Sequence, residues 1–334
     1  MDARSTASGR QHLNRKFPLY GLAGFVIIVS AELLLLLHIG IIGTYFTPLV
    51  WTGYILLADA LNLYSHGRSL IISRRGEFLV MLPWSIVCWC VFEAYNLYLR
   101  NWTYIGLPDD PLLRYLGYGW SFATIFPAVL ETAEFIQPFL RSAHFGGLSR
   151  QENIIGGRPL IREGQNQPPR LTVPLARSFV VVSIAAGLVC LVVPLLLDRA
   201  DAARAFALVW VGFFLLLDPV NHSFGGRSIL ADLGNKNYEL IVSLTAAGLL
   251  CGILWEFWNY WAVGKWVYSI PIPIAGPKLF EMPLLGYLGF IPFAYECWAM
   301  QQSLLLFFPA GSRKRDGDML RGPGEGCQAF RSTG

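Results

Sequence analysis

The apolar residues of this chain are gathered into eight blocks, most of them close to the length that crosses a bilayer. A helix needs about 20 predominantly apolar residues to span the hydrocarbon core. The blocks cover residues 18–38, 46–64, 78–98, 115–136, 179–197, 206–220, 238–260 and 283–308. Because backbone polar groups in lipid must be satisfied internally, such blocks indicate transmembrane helices. The sequence therefore predicts an all-α polytopic membrane protein with about eight spans.

Composition and charge agree with this prediction. Hydrophobic residues make up 54% of the chain and charged residues only 14%, with a mean hydropathy of +0.47. A soluble domain carries about a quarter charged residues, so an ordinary soluble surface is excluded. Of the 26 Lys and Arg, 20 fall on one side of an eight-span chain. This asymmetry predicts a cell (inner) membrane protein with both termini cytoplasmic, and it explains the basic residues without a nucleic-acid partner.

The two halves of the chain carry the same pattern. The segment 51–70 recurs at 210–229 without a gap. The matched pairs are Trp51/Trp210, Gly53/Gly212, Asp59/Asp218, Asn62/Asn221, Arg68/Arg227, Ser69/Ser228, Glu93/Glu256, Asn96/Asn259, Trp102/Trp266, Tyr104/Tyr268 and Glu131/Glu296. This collinear order indicates a duplication. Since each half has an even number of spans, the halves are expected to be parallel, related by an axis along the membrane normal.

The repeat and the polar stretches between blocks define the predicted organisation. A polar stretch rich in Gly, Pro and Arg separates the two halves, and a Gly-rich stretch ends the chain. The predicted parts are a cytoplasmic tail over 1–16, a four-helix repeat over 17–141, a cytoplasmic linker over 142–176, a second four-helix repeat over 177–309 and a disordered tail over 310–334.

Six carboxylates recur within the predicted spans, and Glu32 and Glu134 are additional acids of the first half. Each would cost about 2.5–3.5 kcal/mol at mid-helix on insertion scales, so we expect them to face the protein interior or to be protonated. Their depths predict two polar layers. The inner layer holds Asp59, Glu131, Asp218 and Glu296, and the outer layer holds Glu93 and Glu256.

The inner layer is open to two interpretations. Each aspartate lies three residues before an asparagine on the same helix face, and an arginine follows near the helix end. One interpretation is a binding site for an anionic or polar headgroup, with the arginines as counter-ions. The other is that the aspartates pair with those arginines and pin the loop. The substrate-binding candidates here are Asp59, Asn62, Arg68, Asp218, Asn221 and Arg227, with Glu131 and Glu296 as acid or base candidates.

The outer layer contains the leading catalytic candidates, Glu256 and Glu93, because a carboxyl in apolar surroundings can keep a proton available as an acid. Asn96 and Asn259 share their helix faces. The nearby rings are Trp255, Phe257, Trp258, Tyr260, Trp261, Trp266 and Tyr268. Such rings would line a pocket and stabilise a cationic intermediate, and Trp258, Trp266 and Tyr268 are the substrate-binding candidates. The alternative is an interfacial aromatic belt.

Soluble-enzyme and cofactor motifs are missing from the sequence. Five of the six cysteines lie inside predicted spans and have no His or Cys partner at metal-ligand spacing, so neither a disulfide nor a metal site is predicted. There is no P-loop, dinucleotide fingerprint, zinc-protease or serine-hydrolase motif. No cofactor is expected.

The second half resembles the lycopene cyclase domain and related carotenoid hydratases. The resemblance lies in Trp266, Tyr268, Gly276 and then Pro283 opening the next apolar block, within residues 254–297, with a fainter copy over 91–132. It implies a helical membrane enzyme acting on a carotenoid-like substrate. The family's acidic pair after that proline is replaced here by Leu284, Leu285 and Gly286, so the acid role would move to Glu256 or Glu296.

Three functional hypotheses follow. The first is an integral-membrane enzyme acting on an isoprenoid or other lipid by carboxylic acid/base chemistry. The second is a transporter or proton-coupled channel in which the two acidic layers form a relay. The third is a non-catalytic membrane subunit whose polar helices pack against each other or a partner. The expected partners are membrane lipid and a lipid-soluble small molecule, with a protein partner or a homo-oligomer left open.

Overall fold

The computed structural model describes residues 16–142, 175–269 and 277–308. Most of the predicted N-terminal tail, most of the predicted linker and the C-terminal tail lie outside these residues. Within them the chain is mostly helical, with thirteen α-helices, one 3₁₀ helix and four short strands. The prediction of a helical membrane protein is thus confirmed in its general form.

The first half contains seven helices and one strand. They are α1 (Leu19–Leu36), α2 (Gly40–Thr44), α3 (Phe46–His66), α4 (Leu70–Ser73), α5 (Arg75–Leu99), β1 (Trp102–Ile105), α6 (Pro111–Ala123) and α7 (Ile125–Ser142).

The second half has the same order of long elements. They are α8 (Arg177–Leu196), α9 (Arg199–Arg204), α10 (Phe206–Ser223), α11 (Ile229–Gly234), α12 (Glu239–Trp261), β2 (Lys265–Tyr268), β3 (Lys278–Leu279), β4 (Met282–Pro283), a 3₁₀ helix (Leu284–Gly289) and α13 (Phe290–Leu305).

Five helices are long and apolar enough to cross a membrane: α1, α5, α8, α10 and α12. They coincide with five of the eight predicted blocks. A sixth block, 46–64, forms one helix, α3. By length and composition the chain is a membrane protein.

The remaining two predicted spans, 115–136 and 283–308, are each interrupted in the structure. The first is split into α6 and α7 at Thr124, and the second into a 3₁₀ helix and α13. Pro127 and Pro292 each lie in the first turn of the second piece. A proline has no N–H to bond the carbonyl four residues earlier, so neither piece is joined to the preceding helix by that bond.

Close helix packing in each half depends on glycine. A Cβ placed on Gly53 of α3 would lie 2.7 Å from the carbonyl oxygen of Gly24 on α1. A Cβ on Gly187 of α8 would lie 2.9 Å from the carbonyl oxygen of Gly212 on α10. Both contacts are too short for any side chain, so glycine lets these helices approach each other.

The two halves meet along α12 and at the paired strands. Helix α12 packs against α7 of the first half as well as against α13 of its own. Strands β1 and β2 pair antiparallel, with Trp102 opposite Tyr268 and Tyr104 opposite Trp266. This pairing joins the chain segments that follow α5 and α12.

Candidate functional site

Five helices, α3, α5, α7, α12 and α13, contribute to two cavities at opposite ends of the bundle. On α3, Trp51 lines one cavity and His66 the other, 15 residues and so about 22 Å away along the helix axis. We call the cavity beside β1 and β2 the aromatic cavity and the other the polar cavity.

The aromatic cavity has about 120 Å³ of volume that the centre of a water molecule can reach. Its wall is dominated by aromatic side chains from both halves, among them Trp51, Trp89, Trp210, Trp255, Phe290 and Phe293. Two polar atoms of lining residues, Thr47 Oγ1 and Trp51 Nε1, are buried without a hydrogen-bond partner among the described residues. The cavity therefore suits an apolar molecule with a small polar group.

Glu93 lies behind this wall and accepts three hydrogen bonds on Oε1. The Tyr104 hydroxyl donates at 2.6 Å, and the ring nitrogens of Trp89 and Trp102 donate at 2.9 and 3.1 Å. All three donors line the aromatic cavity, whereas Glu93 itself does not. The carboxylate consequently reaches the cavity only through these side chains.

Glu256 has a similar position in the second half. Its Oε1 accepts from the Tyr268 hydroxyl at 2.6 Å, and Trp266 Nε1 donates to the same hydroxyl at 2.8 Å. Tyr268 and Trp266 line the aromatic cavity, and Glu256 does not. Glu256 is completely buried, and its Oε2 has no hydrogen-bond partner in the described part of the chain.

The two tyrosines hold their protons firmly. Burial, followed by the negative charge of Glu93, raises the pKa of Tyr104 well above its ordinary value. Burial, followed by the charge of Glu256, does the same for the pKa of Tyr268. At neutral pH both phenols are therefore hydrogen-bond donors to the carboxylates behind them.

Three outer-layer residues predicted to bind substrate are not in the cavity wall. Asn96 Nδ2 donates to the Trp102 carbonyl at 2.9 Å, and Asn259 Nδ2 donates to the Trp266 carbonyl at 2.9 Å. These amides fix the strands to the ends of α5 and α12, because a strand has backbone groups that its single partner cannot satisfy.

Trp258, the third, is buried and packs edge-to-face against Trp51 with ring centroids 4.9 Å apart. Its Nε1 donates to Glu32 at 3.1 Å. Of the other predicted rings, Trp255 lines the aromatic cavity, while Phe257, Tyr260 and Trp261 do not. The predicted cluster is thus divided between the cavity wall and packing contacts.

In the inner layer each aspartate accepts hydrogen bonds from the segment that follows its helix, and in the described part of the chain neither aspartate pairs with an arginine. Asp59 accepts from the Ile71 backbone N–H at 2.7 Å and from the Tyr20 hydroxyl at 2.6 Å. Asp218 accepts from the Leu230 N–H at 3.0 Å and also from Ile229 N–H and the Ser228 hydroxyl. Neither aspartate forms an ion pair within the described residues, so the Asp–Arg pairs of the second interpretation are not formed.

The buried asparagines hold neighbouring helices. Asn62 Nδ2 donates to the backbone carbonyl of Glu131 at 3.0 Å and to the Glu131 carboxylate. Asn221 Nδ2 donates instead to the carbonyl of Ala299 at 2.8 Å, three residues beyond Glu296. This difference of about one helical turn leaves both carboxylate oxygens of Glu296 buried and without a partner among the described residues.

Arg68 and Arg227, predicted to act together, both line the polar cavity. Other lining residues, including Gln301 and Arg74, were not predicted. Gln301 could have been suspected, since an amide inside an apolar block needs a partner. In the aromatic cavity the missed residues include Trp51, Trp210, Trp102 and Tyr104, and their recurrence in both halves was the available signal.

Comparisons with protein-family models, with curated proteins and with solved structures find no match for this chain.

Proposed function

We propose that this protein is an integral-membrane enzyme that binds a lipid-soluble, isoprenoid-like substrate in the aromatic cavity and acts on it by acid/base chemistry. The observation that carries the proposal is the pair of tyrosine–glutamate contacts, each 2.6 Å long, with the tyrosines in the wall of an aromatic cavity. A tyrosine that faces an apolar cavity and is backed by a carboxyl can pass a proton between that carboxyl and a substrate.

The proposed roles follow from this arrangement. Tyr268 and Tyr104 are the groups in contact with the substrate. When a tyrosine oxygen takes a proton from the substrate, the tyrosine passes its own proton to the Glu256 or Glu93 carboxylate behind it. The tryptophan rings stabilise positive charge that develops on the substrate by cation–π attraction. Thr47 Oγ1 and Trp51 Nε1 hydrogen-bond an oxygen atom at the end of the substrate.

We further propose that the chain has eight spans in two parallel four-helix repeats, with both termini cytoplasmic in the cell (inner) membrane. Contacts at equivalent positions support the duplication. Ser69 Oγ accepts from the backbone N–H of Ile72 and Ser228 Oγ accepts from that of Ala231. Each serine therefore caps the short helix that begins at the next residue, α4 or α11.

A second candidate, proton-coupled transport, is favoured by one observation. Glu296 lies on α13 between Phe293 in the aromatic cavity and Gln301 in the polar cavity, and its carboxyl has no partner among the described residues. A carboxyl in this position could exchange a proton between the two ends.

The test is a comparison of isoprenoid lipids from host membranes that contain the wild-type protein, Glu256→Gln or Tyr268→Phe, with total extracts analysed by mass spectrometry. The enzyme proposal predicts that a product made by the wild type is lost in both variants while detergent-extracted yield stays normal. Tyr98→Phe is the matched control, because its hydroxyl bonds the Leu197 carbonyl at 2.6 Å, away from the cavity.

Unchanged lipid profiles in Glu256→Gln and Tyr268→Phe, relative to the wild type, would reject the catalytic role. In that case proton uptake into proteoliposomes, compared between the wild type and Glu296→Gln, decides the transport alternative. A transport role predicts loss of uptake in Glu296→Gln alone.

A further inference from the structure

The polar cavity is a second candidate binding site and shares no lining residue with the aromatic cavity. It has about 300 Å³ of volume that the centre of a water molecule can reach. Asn62 and Arg68 from the first half and Arg227 and Gln301 from the second half all line it. Its ligand would thus be held by both halves.

The carboxylates of the cavity wall are already engaged. Arg74 Nη2 donates to Glu134 Oε1 at 2.7 Å, and its Nη1 lies 3.6 Å from Glu77 Oε1. Arg74 compensates the charge of one of these two glutamates, and the wall has two more arginines. With His66 neutral, the charged lining residues therefore carry a net charge of +1.

Those two arginines lie at the exposed rim. Arg68 forms no ion pair anywhere in the described ranges. The guanidinium of Arg227 lies 5.5 Å from the centre of the Trp298 ring, which also lines the cavity. A guanidinium presents planar N–H groups that match two oxygens of a phosphate at once.

The floor of the cavity carries polar atoms that lack partners. Gln301 is 1% exposed, and neither its Nε2 nor its Oε1 has a hydrogen-bond partner among the described residues. Asn62 is also 1% exposed, and its Oδ1 is likewise unpartnered. Buried amides are normally hydrogen-bonded, so these atoms point to a bound molecule with both acceptors and a donor.

We propose that the polar cavity binds a phosphate group that has a hydroxyl on or near it. The phosphate oxygens accept from Arg68, Arg227 and Gln301 Nε2, and the hydroxyl donates to Gln301 Oε1 or Asn62 Oδ1. Such a group occurs in the headgroup of phosphatidylglycerol and in soluble glycerol phosphate. The site does not depend on the proposed enzymatic function, because its residues are separate from the aromatic cavity.

The test uses the full-length protein in detergent, with phosphatidylglycerol binding measured by native mass spectrometry and glycerol phosphate binding measured by thermal shift. We expect the double variant Arg68→Gln/Arg227→Gln to weaken binding by about tenfold or more, because charge-assisted hydrogen bonds are lost. Gln301→Leu should also weaken binding, and it leaves the net charge unchanged. Arg199→Gln, at the other end of the bundle, is the control and should bind as the wild type does.

The two probes distinguish the source of the phosphate. Retention of phosphatidylglycerol that glycerol phosphate does not displace identifies a lipid headgroup, and displacement identifies a soluble ligand. The proposal is overturned if the wild type binds neither probe, or if Gln301→Leu and the double variant bind both as tightly as the wild type. Lipid profiles in the enzymatic test are independent of either result.

Discussion

Glu131 and Glu296 occupy equivalent positions in the two halves, yet replacing each with leucine should have opposite effects on stability. Glu131 accepts from the Asn62 amide and, at 3.3 Å, from the Leu70 backbone N–H. Glu296 is fully buried, and neither of its carboxylate oxygens has a partner in the described chain. Leucine has a similar size and needs no hydrogen bond.

The size of the effect follows from these contacts. Glu131→Leu leaves two buried N–H groups without an acceptor, which costs about 1–3 kcal/mol for each group. Glu296→Leu removes a buried polar group that has no partner, which should stabilise the protein by about 1–3 kcal/mol. The two variants should therefore differ by at least about 3 kcal/mol.

Thermal unfolding of the detergent-solubilised protein, followed by tryptophan fluorescence, measures this difference. At about 2–4 °C per kcal/mol, the apparent Tm of Glu296→Leu should exceed that of Glu131→Leu by about 6 °C or more. Glu131→Gln, which keeps one of the two acceptor oxygens, should lie between the wild type and Glu131→Leu. Glu296→Gln should lie close to the wild type. Equal destabilisation by the two leucine variants would refute the reasoning, because it would mean that Glu296 also has a stabilising partner.

Two further predictions concern packing and topology. Gly53→Ala and Gly187→Ala should each lower stability by about 1–3 kcal/mol through overpacking. Gly119→Ala, whose Cβ would have no neighbour within 4 Å, should not. Melting curves of the three variants test this, and equal curves would contradict it. Reporter fusions at residue 157 and after Phe308 should both report the cytoplasm, and an external C-terminal reporter would contradict eight spans.

The helices and the inward position of the acids could be predicted because each depends on one strong physical effect. The length of an apolar block predicts a span, and α5 and α12 follow blocks 78–98 and 238–260 within three residues at either end. The cost of a carboxylate in lipid predicts burial, and Asp59, Asp218 and Glu256 are fully buried.

The partners of those acids could not be predicted, because they depend on distances across the fold. Charge alone suggested that Asp218 would pair with Arg227, but the start of α11 offers two backbone N–H groups and a serine hydroxyl that are closer. Likewise, sequence equivalence gave Glu131 and Glu296 the same role. In the structure their roles differ, because Asn62 donates to the Glu131 carbonyl, whereas Asn221 donates to the Ala299 carbonyl, about one helical turn beyond Glu296.

The position of Glu93 and Glu256 behind the cavity wall could not be predicted from the sequence either. Their spacing along the helices placed them near aromatic rings, which the structure shows. Which groups face the cavity depends on how β1 and β2 fold back over α5 and α12. Strands of four residues leave too short a pattern for the sequence to reveal this.

The antiparallel pairing of β1 with β2 also limits how the molecule can move. Each strand follows closely after a long helix, so the four paired residues from Trp102 to Ile105 connect α5 to α12 at one end of the bundle. Rotation of one half against the other about a central axis would require the hydrogen bonds between these strands to break. The two halves therefore separate more easily at the opposite end, where the polar cavity lies.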